Sequence, residues 1–287
     1  MSGITTTQLI RQRNRRATSY SGQADLINLI GQRLLERLEL VTITPDIIVD
    51  LGCCDGVTSR ALKTIYPGAQ VIGVEPSVSL CKVAQKQSGW FKKPRYLSAL
   101  PNALPIQDDC ADLVVINLYP VWQHDIRQLF IEINRVLTPE GLVLFTSLGP
   151  DTLLNLRASW QQVDPDYEHL MPFADMHDIG DALTGAGYHN IVMENEPLSI
   201  DYPTIESLHE DLRYTGYANL ANSRRPTLLS KGRYQNYLSK LVSNDSSGLK
   251  ITYDVVFGHG WKGIKQPKHA INAIPEQFEQ IPFKSLD

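Results

Sequence analysis

Long apolar runs are absent from this 287-residue chain. No stretch approaches the roughly 18 residues that cross a bilayer as a helix. The longest, such as Leu113 to Ile116 and Leu142 to Phe145, suit buried strands. A helical membrane protein is thereby excluded, and no membrane partner is expected. Cysteine is scarce: Cys53, Cys54, Cys81 and Cys110 make no C-x-x-C pair, and two of them are adjacent. That excludes a disulfide framework and points to a reducing compartment, the cytoplasm. Charge is nearly balanced, with 27 Lys and Arg against 31 Asp and Glu. A surface built wholly to grip nucleic acid is excluded, though a local basic patch is not. His177 has no second histidine at metal-ligand spacing, so no metal is expected. Repeats, low-complexity tracts, and Ser-His-Asp or Cys-His arrangements are also missing.

What is present suits one large domain: 43% of the residues are apolar, enough for a substantial core. Met1 to Ala24 contains no acid and carries Arg11, Arg13, Arg15 and Arg16. It overlaps in composition with a transit peptide and equally fits a basic helix lying over a pocket or a partner; the lack of an apolar core excludes a secretory signal. Ala24 to Leu38 reads as an amphipathic helix. From residue 47 strands and helices alternate: strands at Ile47–Leu51, Val71–Val74, Leu113–Asn117 and Leu142–Thr146, helices at Thr58–Tyr66, Ser79–Gln87 and Ile126–Leu137. Thr138 to Gly141 reads as a turn. This rhythm predicts βαβ units and a parallel sheet covered on both faces. Beyond residue 148, helices are expected at Asp151–Gln161, with Asp151 beginning or capping it, and at Asp178–Ala186, Thr204–Gly216 and Leu228–Leu241. Strands are expected at Ile191–Met193 and Ile251–Phe257, a polar loop at Asn244–Gly248, and a loose tail over 264–287.

The sharpest local signal is Val49-Asp50-Leu51-Gly52-Cys53-Cys54-Asp55-Gly56, where a strand hands over to a helix. Glycines there let the backbone approach a ligand. Glu75 lies nineteen residues past Gly56, at the end of the second strand. An acid in that place accepts the hydroxyls of a ribose. The alternative is structural: the glycines make a tight turn and Glu75 caps the next helix.

This pattern resembles motifs I and II of the class I S-adenosylmethionine-dependent methyltransferases. Ala103-Leu104-Pro105-Ile106, Asp112 to Leu118 with Trp122, and Arg135 to Gly141 resemble later motifs of that superfamily. Gly149 to Leu153, Phe173 to Leu183, Asp211-Leu212-Arg213 and Gly258-His259-Gly260-Trp261 resemble the BioC family of malonyl-acyl carrier protein O-methyltransferases, over roughly residues 14–263. The resemblance implies a Rossmann-like α/β fold. Its sheet has seven strands, mostly parallel with an antiparallel last strand. A helical lid comes from the N-terminal helix (1–40) and an insertion at about 200–249. It implies S-adenosylmethionine as methyl donor, held by Asp50, Gly52, Cys53, Cys54, Gly56, Glu75, Pro76, Ala99, Leu100, Asn117 and Leu118. It further implies methylation of the free carboxylate of a malonyl thioester in biotin synthesis. Three positions depart from the family pattern. Cys54 stands for a glycine, where a Cβ would crowd the donor or resist positive φ. Leu100 stands for an acid that contacts the adenine. Asp55 stands for Thr or Ser, and is expected to cap the following helix.

A carboxylate substrate calls for a cation, preferably arginine. Arg157, Arg213, Arg224 and Arg225 are candidates, Arg157 first because its helix leaves the carboxyl edge of the sheet. Each alone reads equally as a surface arginine. Tyr20 and Arg15 align with the family's N-terminal segment, which the resemblance folds over the cofactor; Tyr20 is the candidate to orient the carboxylate or close the pocket, and reads equally as a packing tyrosine. Tyr119 and Trp122 are expected to wall the pocket. The partner implied is malonyl-acyl carrier protein or malonyl-coenzyme A. Acyl carrier protein is acidic, so its docking surface should be basic; Arg11, Arg13, Arg15 and Arg16 form one candidate, Arg224, Arg225, Lys231 and Arg233 another. Two other readings stay open, a hydroxylase-like assembly factor of respiratory complex I and a non-catalytic nucleotide-binding module. Oligomeric state is not legible.

Overall fold

The structure, a computed structural model, describes residues 6–20, 25–91, 93–119, 125–214, 225–241 and 249–264. Helix α1 (Thr6–Tyr20) and helix α2 (Asp25–Glu36), extended by a 3₁₀ turn at Arg37–Leu40, precede the alternating region. There β1 (Ile47–Leu51), α3 (Val57–Ile65), β2 (Gln70–Val74), α4 (Val78–Gln87), β3 (Arg95–Leu97), β4 (Ala111–Ile116), α5 (Ile126–Val136) and β5 (Leu137–Leu148) follow in order. The chain continues through α6 (Leu154–Val163), α7 (Met176–Gly185), β6 (Tyr188–Tyr202), α8 (Ile205–Tyr214), α9 (Lys231–Leu241) and β7 (Leu249–Lys262). The strands form one seven-stranded sheet in the order β3-β2-β1-β4-β5-β7-β6. All neighbours pair in parallel except β7, which runs against both β5 and β6. The strand order reverses between β1 and β4, the switch point at which open α/β sheets bind ligands.

The apolar runs are near-continuous because both faces of the sheet are covered. Ile48, Leu113, Leu142 and Leu144 face α2, packing with Leu26, Ile30 and Leu34. Val49, Val114, Val143 and Phe145 face the other side, against Leu129, Phe130 and Ile133 of α5 and Ile179 and Leu183 of α7. Phe130 and Phe145 meet edge-to-face at 5.2 Å. The Gly-His-Gly-Trp stretch belongs to this packing: a Cβ on Gly258 would lie 2.3 Å from the Phe145 ring.

Several expectations are corrected. Thr138 to Gly141 is not a turn ahead of a strand but a bulge inside β5, where four residues stand against Asp112 alone and Glu140 takes φ 61°. Asp151 neither begins nor caps α6. That helix starts at Leu154 behind Leu153, in the left-handed region at φ 61°. The backbone N–H of Asp151 instead donates to Asp254 at 3.3 Å. Strand β6 extends well beyond Ile191–Met193, and β3 was not foreseen. The loop at Asn244–Gly248 and the tail over 265–287 lie outside the described residues. No helix among the described residues is long and apolar enough to cross a membrane.

Candidate active site

The turn after β1 is built as its glycines require. Gly52 has φ 79° and Gly56 φ 81°, and a Cβ on Gly52 would lie 2.3 Å from the Tyr119 ring. Cys54 adopts φ 50°, so the glycine-like conformation is kept with a side chain present. Its sulfur is received by α1: the Tyr20 hydroxyl donates to Cys54 Sγ at 3.1 Å, and Ala17, Tyr20, Cys54 and Leu80 form a small buried cluster. Burial pushes the Cys54 thiol up to about 12, with Arg13 opposing, and raises Cys53 and Tyr20 as well. These groups are therefore neutral near pH 7 and supply no thiolate.

Three carboxylates converge here. Asp50 is buried and accepts from the Ser59 hydroxyl; burial pushes it up to about 7. Asp55 does not cap α3, whose N-cap is Gly56. Its carboxylate is buried, and Oδ2 has no partner among the described residues. Glu75, at 0% exposure, accepts from the Ser77 N–H at 3.0 Å and from Arg13 at 2.7 Å. Arg13 was not singled out for this place by sequence. Its guanidinium, 12% exposed, sits 5.5 Å from the centroid of the Tyr119 ring. Burial disfavours its charge, but Glu75, Cys54, Tyr119 and Tyr20 outweigh that and hold its pKa above the ordinary value. The only sequence signal for Arg13 was its place in an acid-free segment; its partner lies 62 residues away. Arg15, on the same helix, is exposed.

The remaining candidates divide. Glu75 N–H donates to Leu97 O at 3.1 Å, and Ser98 Oγ to Pro76 O at 3.2 Å, bringing Pro76, Ala99 and Leu100 beside the Glu75 edge. The Asn117 amide donates to Ile27 O and accepts from Thr146 Oγ1, each at 2.8 Å, tying α2 to the ends of β4 and β5. Leu118 follows with φ 55°. Tyr119 is buried over Gly52. Arg157 donates to Met171 O at 3.1 Å, away from the β1–β2 edge in sequence and in partners. Arg225 and Arg233 both bind the buried Asp164, at 3.0 and 3.2 Å. His177 belongs to a helix start: its N–H donates to Asp175, the N-cap of α7, at 2.8 Å. Trp122, Arg224 and the side chain of Arg213 lie outside the described residues. Among the described residues no group of His, Cys, Asp and Glu could hold a metal ion.

A parallel sheet with a reversed order at β1 and β4, a glycine turn and a buried acid at the end of β2 define a nucleoside-binding α/β protein of the class I methyltransferase type. Residues 49–145 match the family described as Methyltransferase domain. The fold is shared with a Bacillus subtilis protein, YcgJ, over 81% of this chain and 99% of that one (TM-score 0.57, 16% identity). It is shared too with a Haemonchus contortus phosphoethanolamine N-methyltransferase solved with S-adenosylhomocysteine, over 81% of this chain and 53% of that one (TM-score 0.53, 19% identity). A malonyl-[acyl-carrier protein] O-methyltransferase of Legionella pneumophila is 34% identical over 88% of this chain and 89% of its own length. The chain belongs to the malonyl-[acyl-carrier protein] O-methyltransferase family.

Proposed function

We propose that this protein methylates the free carboxylate of a malonyl thioester carried on acyl carrier protein, with S-adenosylmethionine as donor. The observation that carries the reading is Glu75, a fully buried acid at the end of β2, beside the left-handed glycine turn that follows the neighbouring β1. The donor's groups fit the residues present. Glu75 suits two ribose hydroxyls. The unpartnered Asp55 Oδ2 suits the donor's ammonium, because a buried acceptor without a partner is costly. Cys54 fits because its thiol is held by Tyr20 and Leu80 while its backbone keeps the turn. Pro76, Ala99 and Leu100 border the adenine side, with an apolar side chain at 100 in place of an acceptor.

S-adenosylmethionine supplies a methyl group on a sulfonium, which a carboxylate oxygen takes as the carbon–sulfur bond breaks to leave a thioether. A malonyl carboxylate, with a pKa of roughly 4, is already ionised at neutral pH. No general base is needed, in keeping with the neutral thiols and phenol at the mouth. The protein's work is positioning, worth up to roughly 7–11 kcal/mol. Arg13, with Glu75 taken by ribose, is the cation at hand for the incoming carboxylate. Tyr20 and Tyr119 wall the space around it, and Arg157 and Arg224 are second candidates on the substrate side. The test is conversion of malonyl-carrier protein to a product 14 mass units heavier (the mass of CH₂) by intact mass, with equimolar S-adenosylhomocysteine. Donor binding without any such product would count against the reading and favour a non-catalytic module.

A further inference from the structure

Basic charge is segregated in this chain. Residues 1–24 and 76–107 hold nine of its 27 Lys and Arg and none of its 31 acids. The fold brings together α1 of the first stretch and α4 of the second. Helix α1 packs on α4: Ala17 and Tyr20 meet Leu80 and Val83, while Asn14 Oδ1 accepts from Ser77 Oγ at 2.6 Å and from the Ser79 N–H at 3.3 Å. Arg11 and Arg15 are exposed on α1. Lys82 and Lys86 are exposed on α4, four residues apart and therefore on one face. The α4 face begins at Val78, 50% exposed and three residues past Glu75, and runs about 15 Å along the helix. Beyond its far end stand Trp90 and Phe91, each 94% exposed, followed by exposed Lys93 and Arg95. Two adjacent, fully exposed aromatics beside cations are unusual on a surface with no partner.

We infer that the α1–α4 face, with Trp90 and Phe91 at its tip, is the docking surface for the acidic carrier protein. The inference rests on the carrier-dependent reading above and deepens it. Charge complementarity selects the partner: a cationic face built on two acid-free stretches suits a protein rich in Asp and Glu, and an aromatic pair at one end suits a small apolar patch on it. One end of the face lies beside Glu75, toward which Arg13 of the same α1 turns inward with Tyr20 buried close by, so a thioester on a flexible arm would be delivered next to the donor site proposed above. The rival basic group is less suited, because Arg225 and Arg233 are spent on Asp164.

The test compares wild type with K82E/K86E and with W90A/F91A. Two substrates are used: malonyl-carrier protein and the malonyl thioester of N-acetylcysteamine, which has no carrier to dock. Both variants are expected to raise KM for the carrier substrate by about tenfold at low salt. Neither should change kcat, nor kcat/KM for the small thioester, by more than about twofold. Carrier binding followed by fluorescence anisotropy gives the docking result independently of turnover. A wild type that binds carrier but transfers no methyl group overturns the proposed activity and leaves the docking inference standing. Unchanged carrier KM and anisotropy in both variants overturns the docking surface. Unchanged carrier kinetics together with wild-type binding to phosphatidylglycerol vesicles, lost in W90A/F91A, overturns it in favour of an anionic membrane.

Discussion

On the proposed reading, in which Glu75 holds the donor's ribose, Arg13 and that ribose compete for the same carboxylate. Glu75 is fully buried, and removing its cation leaves an uncompensated charge, which costs several kcal/mol in buried pairs. R13A is therefore expected to lower the melting temperature of the free protein. It should also bind S-adenosylmethionine more tightly, by about tenfold if the competition is worth roughly 1.4 kcal/mol. Calorimetry and melting with and without donor check both, and weaker donor binding in R13A would sink the idea of competition. Asp50 sets a second residue-scale expectation. Its folded pKa is raised by burial to about 7, against roughly 3.9 when unfolded. Between those values the native chain holds a proton that the unfolded chain has released. Stability from this group therefore falls as pH rises, by up to about 1.4 kcal/mol per unit, and levels off above pH 7. D50N keeps an acceptor for Ser59 and should remove that component. Urea unfolding of wild type and D50N at pH 5 and pH 7 reads the difference; equal pH slopes would show that Asp50 ionises normally.

At the scale of elements, α4 depends on its cap. Ser77 accepts from Leu80 N–H at 3.2 Å and donates to Asn14 of α1, so one hydroxyl both starts α4 and fastens α1 to it. S77A should cost about 1 kcal/mol in urea unfolding; a loss below a few tenths would mean that water replaces both bonds. Elements of this kind divide by how much of their surroundings is local. Strand β1 was legible to the residue because both its faces are buried and Ile47, Ile48, Val49 and Leu51 read as a short apolar run around the single Asp50, stopped by Gly52. Strand β3 was not, being three residues of a partly exposed sheet edge. Strand β6 was read as three residues because its exposed positions carry His189, Glu194 and Asn195, which look like loop until β7 pairs along them. The candidate site shows the same division. Gly52, Gly56 and Glu75 were legible from a spacing within one βαβ unit. Arg13 was not, because nothing in Arg11 to Arg16 distinguishes the arginine that turns inward from those that stay exposed.

Across the whole molecule, the fold and the mouth of the site are separable. Among the described residues, the two cores on the faces of the sheet are built from α2 onward, and α1 gives Ala17 and Tyr20 to a small third cluster with Cys54 and Leu80. Its other buried contribution is Arg13, an ion pair rather than apolar area. A chain lacking residues 1–24 should therefore keep its sheet, with a far-UV dichroism band reduced only by the share of α1 and a cooperative melting transition at a lowered temperature. The groups assigned to the donor, Asp55, Glu75 and the turn between them, all lie outside the truncation, so donor binding should persist. Methyl transfer should not: the arginine at hand for the carboxylate, the Tyr20 wall and part of the cationic face go together, and a loss of at least about 100-fold in kcat/KM is expected from positioning alone. The truncated protein assayed by calorimetry for donor and by intact mass for carrier product separates the two halves of the site. Full transfer without α1 would place the acceptor pocket elsewhere, on the side of Arg157.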